Sequence, residues 1–193
     1  MKLLSRQGFT LFELIITVAV IAIISSIGLR NTYTFLQEQK LRQASNELLS
    51  YLLTARAKAL REANVSESGT AKACEVKLDA SNNTISPSPE SAANVCNDSP
   101  SLPELNLLAA SGASNLILTA SDGGSSPLFI TFTRMGTVAS SNLSGSQSVS
   151  LPLTFYLSNP SATNLQRCVM VDLNTLRIGW RNSDAEACTY NGN

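Results

Sequence analysis

The chain has 193 residues, of which 44% are hydrophobic and 15% are charged. Its 14 basic residues balance its 14 acidic residues, so the chain as a whole has no basic field to attract nucleic acid. It contains no histidine, which excludes Ser-His-Asp and Cys-His nucleophile pairs, histidine metal ligands and an imidazole proton shuttle. Phosphate-binding glycine loops and metal-ligand spacings are also absent from the sequence. We therefore expect a protein that assembles or binds, with no enzymatic activity, no cofactor and no metal.

The chain begins with a short basic leader followed by an apolar run. Residues 1–8 carry Lys2 and Arg6 and no acid, and Glu13 is the one ionisable side chain in residues 9–29. A helix rises about 1.5 Å per residue, so one over residues 9–29 spans roughly the 30 Å of a bilayer's hydrocarbon core. The position of the basic residues predicts a single membrane-spanning helix with a cytoplasmic N-terminus and an exported remainder.

Two other interpretations of this segment are an ordinary secretory signal peptide, cleaved after Gly28, and a buried core helix. The apolar run is longer than the roughly 7 to 15 residues of a typical signal peptide. A carboxylate at the centre of a membrane helix costs about 2.5–3.5 kcal/mol on insertion scales, so such a residue is expected to have a function and a partner. Glu13 is therefore a candidate functional residue.

The N-terminal region contains the string GFTLFEL at residues 8–14. With its basic leader and apolar helix, this string closely resembles the class III signal of type IV pilins and type II secretion pseudopilins. The resemblance implies that a prepilin peptidase cleaves between Gly8 and Phe9 and N-methylates Phe9. It also implies that Glu13, the fifth mature residue, pairs with the N-terminal amine of a neighbouring subunit and sets its register during assembly.

Residues 30–64 continue the helical pattern without proline. Their apolar residues recur at spacings of three to five, as on one face of an amphipathic helix. We expect a single helix from residue 9 to about residue 63, with Gly28 and the preceding serines as the site of bending or melting. Its second half is expected to pack on a head domain. The predicted apolar face consists of Tyr33, Leu36, Leu41, Ala44, Leu48, Leu52, Ala55 and Ala59.

Residues 65–193 are rich in Ser, Thr, Asn, Gly and Pro and form the predicted head domain. Turn clusters are expected at 86–89, 121–126, 140–146 and 159–164. The predicted fold is α+β: a long N-terminal helix packed on one antiparallel sheet, in a pilin-like arrangement. The predicted strands cover residues 73–78, 115–119, 128–133, 149–157, 168–173 and 176–180.

The last third of the chain resembles the GspH/FimT group of pseudopilins and minor pilins. The resemblance rests on FITFTRMG at 129–136, RCVMV at 167–171 and LRI at 176–178. It implies a strand that ends in a glycine turn and a closing C-terminal hairpin. Members often have Gly-Arg-x-Arg at the final turn, where this chain has TLRIG at 175–179. We expect Asn174 to supply a left-handed residue there.

Four cysteines lie in the segment expected to face an oxidising periplasm, so two disulfides are predicted. Three pairings exist, and the sequential one is favoured because it closes two modest loops of about 20 residues. Zinc binding is the alternative, but the sequence has neither a CxxC nor a histidine. The sequential pairing joins Cys74 to Cys96 and Cys168 to Cys188.

The charge is unevenly distributed. Residues 65–193 have six basic and ten acidic residues, so the head is acidic and DNA binding by its whole surface is not expected. Arg177 and Arg181 fall on the same side of one predicted strand and are the candidate DNA contacts. The alternative is that they are solvated charges that discourage strand-edge pairing.

Three functions fit these features. The first is a structural minor pilin of a type IV pilus, held in the inner membrane with a periplasmic head and then assembled near the filament tip. The second is pseudopilin H of a type II secretion system, and the third is a DNA-binding minor pilin in natural transformation. The implied partners are other pilins or pseudopilins, the prepilin peptidase and the inner-membrane assembly platform.

Overall fold

The computed structural model describes residues 10–62, 72–89, 94–113, 115–121, 127–142, 151–160, 165–184 and 186–190. The predicted cleavage and methylation site at Gly8 and Phe9 lies outside these residues. The chain divides into two compact units, Met1–Leu36 and Gln37–Asn193.

A single helix, α1, runs from Leu11 to Glu62. The helix is continuous through Gly28. The predicted melting of the helix at this position is therefore not observed. Within the described part of the chain, no helix has the combination of length and apolar character needed to cross a membrane. The membrane-spanning role of residues 9–29 therefore stays a prediction.

The part of α1 in the second unit buries one apolar face, as the residue spacing predicted. Its fully buried members recur at intervals of three and four residues, which is the repeat of one helix face. At the N-terminal end of the predicted face the expectation was wrong, because Tyr33 and Leu36 are 53% and 51% exposed. The buried members are Leu41, Ala44, Leu48, Leu52, Ala55 and Ala59.

The first of two sheets has the strand order β3-β2-β1-β5-β6 among the described residues. All its neighbouring strands are antiparallel, and Val76 of β1 lies opposite Ile130 of β5. The strands are β1 (Cys74–Asp79), β2 (Thr84–Pro87), β3 (Leu105–Asn106), β5 (Leu128–Phe132) and β6 (Val138–Asn142).

The second sheet has the order β10-β9-β8-β7-β4 and is also antiparallel. Its central hairpin, β8 with β9, is the closing C-terminal hairpin expected from the sequence. The strands are β4 (Ile117–Ala120), β7 (Leu153–Ser158), β8 (Gln166–Val171), β9 (Leu176–Arg181) and β10 (Thr189–Tyr190).

The α+β class is confirmed, but the single predicted sheet is wrong because the strands form two sheets. Strands β2 and β6 extend into the predicted turn clusters at 86–89 and 140–146. Four strands were not predicted: β2, β3, β6 and β10. Two short helices were also missed: a 3-10 turn at Val95–Asn97 and α2 at Leu107–Ser111.

One hydrophobic core joins the buried face of α1 to both sheets. It includes Leu48 of α1, Ile130 of the first sheet and Phe155 of the second, and all three are fully buried. The core residues of β7, Leu153, Phe155 and Leu157, occupy alternate positions of the strand, as expected for a sheet with one face on the core. The core therefore holds the second part of α1 and the two sheets as one unit.

The turn between β5 and β6 lies against α1. Gly136 has φ +72, a conformation that favours glycine, and a side chain there would approach Arg56 Nε at 3.1 Å. Arg56 Nη1 also donates to the carbonyl of Asn174, at 3.0 Å, in the turn between β8 and β9. Asn174 itself does not adopt the expected left-handed conformation; among the described residues other than glycine, Asn83 has a positive φ.

Candidate functional site

The start of α1 is capped by Thr10. The Glu13 amide donates to the Thr10 hydroxyl at 3.3 Å and to the Thr10 carbonyl at 3.1 Å. This places Glu13 in the first helical turn, where a negative charge interacts favourably with the helix dipole. The capping role of Thr10 was not predicted, although the spacing Thr-x-x-Glu before an apolar run is the pattern of a capping box.

The hydroxyl groups of Thr17 and Ser25, in the apolar segment, are satisfied within the helix. Thr17 Oγ1 donates to the Leu14 carbonyl at 2.9 Å, and Ser25 Oγ donates to the Ile21 carbonyl at 2.7 Å. The Glu13 carboxylate, in contrast, has no hydrogen bond or ion pair within the described residues. Glu13 is therefore the charged residue of the described apolar segment, and its carboxylate has no partner in its own helix.

The side chains around this segment are apolar on every side of the helix. Leu11, Phe12 and Ile21 are 79%, 72% and 63% exposed, and the apolar residues between them are also exposed. A helix that is apolar all round is stable when it is buried in protein or in lipid. Burial of these exposed side chains in protein or lipid would therefore stabilise this segment of α1.

All four cysteines form disulfides, Cys74 with Cys96 and Cys168 with Cys188, which is the sequential pairing. No thiolate is left to bind zinc, and the described residues hold no cluster of three or more potential metal ligands. Asn94 supports the first disulfide, because its side chain accepts from the amides of Glu75 and Cys96.

Arg177 and Arg181 lie on the same side of β9, as predicted from their spacing. Arg177 is exposed. Arg181 is held by its surroundings: Nη2 lies 2.8 Å from Asp184 Oδ1, Nε donates to Gln166, and the guanidinium carbon lies 3.7 Å from the centre of the Tyr156 ring. One of the two candidate DNA contacts is therefore already bound within the head.

Arg167 lies on the face of the hairpin opposite to Arg177 and Arg181. In the register of β8 on β9 it is directly across from Trp180. Together with Glu38 and Arg42 of α1 these two residues line a cleft of about 660 Å³. Neither a role for Arg167 nor this cleft was predicted from the sequence. Only the register of β8 on β9 and the position of α1 bring its residues together.

Comparison with known proteins gives one match. Residues 3–29 match the family of the prokaryotic N-terminal methylation motif. Neither a curated protein nor a solved structure matches the chain significantly. The motif supports a type IV pilin-like or pseudopilin protein, anchored in the membrane, that is processed by a prepilin peptidase and assembles with other pilins. The resemblance of the C-terminal region to the GspH/FimT group stays a prediction.

Proposed function

We propose that this chain is a structural, non-enzymatic minor pilin of a type IV pilus, inserted in the inner membrane and then assembled near the tip of the filament. The observation that supports this function best is the Glu13 carboxylate. It lies in the first turn of α1, in a segment whose apolar side chains are exposed, and it has no partner among the described residues. A methylation motif covers the same segment.

Processing at Gly8 would create the missing partner. The mature chain would begin with a methylated, cationic amine on Phe9, next to an apolar helix that cannot solvate the charge. In a filament, the amine of one subunit and the Glu13 carboxylate of its neighbour neutralise each other. A subunit in the wrong register would leave both charges unpaired in an environment of low dielectric, so the pair selects the register.

Two alternatives share the same processing. A pseudopilin H of a type II secretion system would use the same helix to assemble a shorter filament that exports proteins. A DNA-binding minor pilin would need a basic surface on the head, and the ion pair of Arg181 with Asp184 at 2.8 Å counts against that surface. The pilus function is therefore proposed ahead of the DNA-binding function.

Deletion of the gene separates these functions. For a minor pilin we expect fewer surface pili and reduced motility, with exoprotein release unchanged, and full recovery when the parent gene is restored. Loss of exoprotein release with normal piliation would instead identify a secretion pseudopilin. Loss of DNA uptake alone, with pili intact, would identify the transformation function.

A further inference from the structure

The cleft beside Trp180 lies wholly in the second unit. One wall is the part of α1 that carries Glu38 and Arg42, and the other is the β8–β9 hairpin with Arg167, Ile178 and Trp180. Its two guanidinium groups and one carboxylate give the lining a net charge of +1 if all three are ionised. Ile178 and the indole of Trp180 provide apolar surface next to these charges.

Arg167 is the charged group of this lining whose unpaired atom is buried. Its Nε is buried and has no hydrogen-bond partner within the described residues. Burial lowers the pKa of Arg167, and the nearby positive charge of Arg42 lowers it further, while Glu38 acts in the opposite direction. A buried, charged donor without an acceptor is costly, and buried polar groups in native proteins are almost always paired. An acceptor entering the cleft would remove this cost.

Charge and shape define that acceptor. The Glu38 carboxylate would repel a dianion such as phosphate. A ligand with a single negative charge would instead neutralise the net charge of +1 on the lining. A carboxylate is monoanionic and planar, and it matches the donor geometry of guanidinium groups. A nucleic-acid backbone also carries one charge per phosphate, but it would bring further charges against a head that is acidic overall.

We propose that this cleft binds an acidic side chain of another protein chain, with its carboxylate on Arg42 and Arg167 and a neighbouring apolar side chain against Trp180 and Ile178. The proposal goes beyond filament assembly through Glu13, because all the residues involved belong to the head. It makes the cleft a docking site for an acidic peptide segment.

Trp180 provides a direct measurement because it is the only tryptophan in the chain. We would titrate the purified full chain in detergent with acetyl-Glu-Leu-amide and follow tryptophan fluorescence. The expected result is a saturable change that the matched peptide acetyl-Gln-Leu-amide does not cause. Arg167→Gln and Arg42→Gln should each weaken binding by about fivefold or more, as for loss of a charge-assisted hydrogen bond.

Two further variants sharpen the test. Glu38→Gln should strengthen binding, because it removes the one negative charge of the lining. Arg134→Gln, at an exposed turn outside the cleft, should bind like the parent. Circular dichroism checks that Arg167→Gln is folded. Arg42 is exposed on α1, so its variant keeps the test decisive even if Arg167→Gln fails to fold.

Three results would overturn the proposal. The first is an equal response to the Glu and Gln peptides, or no saturable response in the parent at tens of millimolar peptide. The second is unchanged affinity in folded Arg167→Gln or in Arg42→Gln. The third is tighter binding of an oligothymidylate with the same arginine dependence, which would identify the cleft as a nucleic-acid site.

Discussion

At the scale of single residues, the polar groups of the apolar helix are of two kinds. The hydroxyls of Thr17 and Ser25 donate to carbonyls of the preceding turn, so they can enter an apolar environment at little cost. The carboxylate of Glu13 has no such internal partner among the described residues. Its role must therefore be explained by something outside its own helix.

The replacement Glu13→Ala tests that role. We expect the variant to insert in the membrane as well as the parent, because the apolar run becomes more apolar, but to enter filaments poorly because the subunit amine loses its partner. Immunoblots of sheared filaments and of membranes measure the two fractions. Thr17→Val is the matched control and should assemble normally. Undiminished incorporation of Glu13→Ala would refute the pairing.

Tyr51, on the buried part of α1, gives a prediction of pH dependence. Its hydroxyl is buried and has no partner within the described residues. Burial, and then the negative charge of Glu104, raises the pKa of Tyr51. The folded state therefore favours neutral tyrosine, and the resulting stability is lost as the pH rises above the unfolded value of about 10.

Tyr51→Phe should consequently be as stable as the parent at pH 7, or more stable by up to about 1 kcal/mol, since it removes an unsatisfied hydroxyl. The stability of Tyr51→Phe relative to the parent should increase above about pH 10, because the Tyr51 hydroxyl ionises in the unfolded parent. Urea unfolding at neutral and alkaline pH measures both values. A clear loss of stability at pH 7 would show that the hydroxyl has a partner after all.

At the scale of elements, short strands depend on contacts that are distant in sequence. Strand β10 has two residues and pairs with β9, where Tyr190 lies opposite Gly179. A side chain at Gly179 would approach the Thr189 carbonyl oxygen at 2.5 Å. Only glycine allows β10 to lie this close, and the Cys168–Cys188 disulfide holds the segment before it.

Gly179→Ala should therefore displace β10 and cost about 1–3 kcal/mol, the range typical of overpacking. Faster hydrogen exchange at the Tyr190 amide would show that the loss is local to this strand. Arg177→Ala changes an exposed residue on the same face of β9 and should alter stability by no more than about 0.5 kcal/mol. Unchanged exchange and stability in Gly179→Ala would contradict the close packing.

The end of α1 is attached to the loop at residues 98–100 by a buried lysine. Lys58 is 5% exposed, and its Nζ donates to the carbonyl of Asp98 at 2.7 Å and to that of Pro100. Lys58→Met would leave the Asp98 and Pro100 carbonyls without this donor, at a cost of about 2–3 kcal/mol. Urea unfolding measures the loss. Arg61→Met, at a side chain that is 72% exposed, is the control and should change stability little.

The same elements show what sequence patterns can predict. The face from Leu41 to Ala59 was predictable because a helix repeats every three to four residues and the core selects that repeat. Strands β1, β5, β8 and β9 are five or six residues long and were found from their own composition. Strands β3 and β10 were missed because they have two residues each and only their partner strands stabilise them. Strands β2 and β6 were missed because they contain Ser, Asn and Pro residues that indicated turns.

The roles of individual polar residues were harder to predict, because they depend on contacts that are distant in sequence. The burial of Lys58 could not be predicted, because nothing nearby in sequence indicates the carbonyls that it binds about 40 residues later. Arg167 was not singled out, because the cleft that it lines depends on the register of β8 on β9. Glu13 was identifiable because its signal is local: an acid in an apolar run after a characteristic leader.

At the scale of the whole molecule, the balanced charge of 14 basic and 14 acidic residues results from the sum of unlike parts. Removal of the leader would take away Lys2 and Arg6 and make the mature chain acidic. Its charges would then be one acid in the apolar helix, an excess of bases in residues 30–64 and an acidic head. Cleavage thus changes both the net charge and the group that Glu13 can meet.

The central claim is that the chain matures into a pilin-like subunit, and intact mass spectrometry of the protein purified from its native membrane tests it most directly. We predict a mass that corresponds to residues 9–193, with both disulfides and one added methyl group on the Phe9 amine. A mature protein that begins at Leu29, or one that retains Met1 and the leader, would contradict the account.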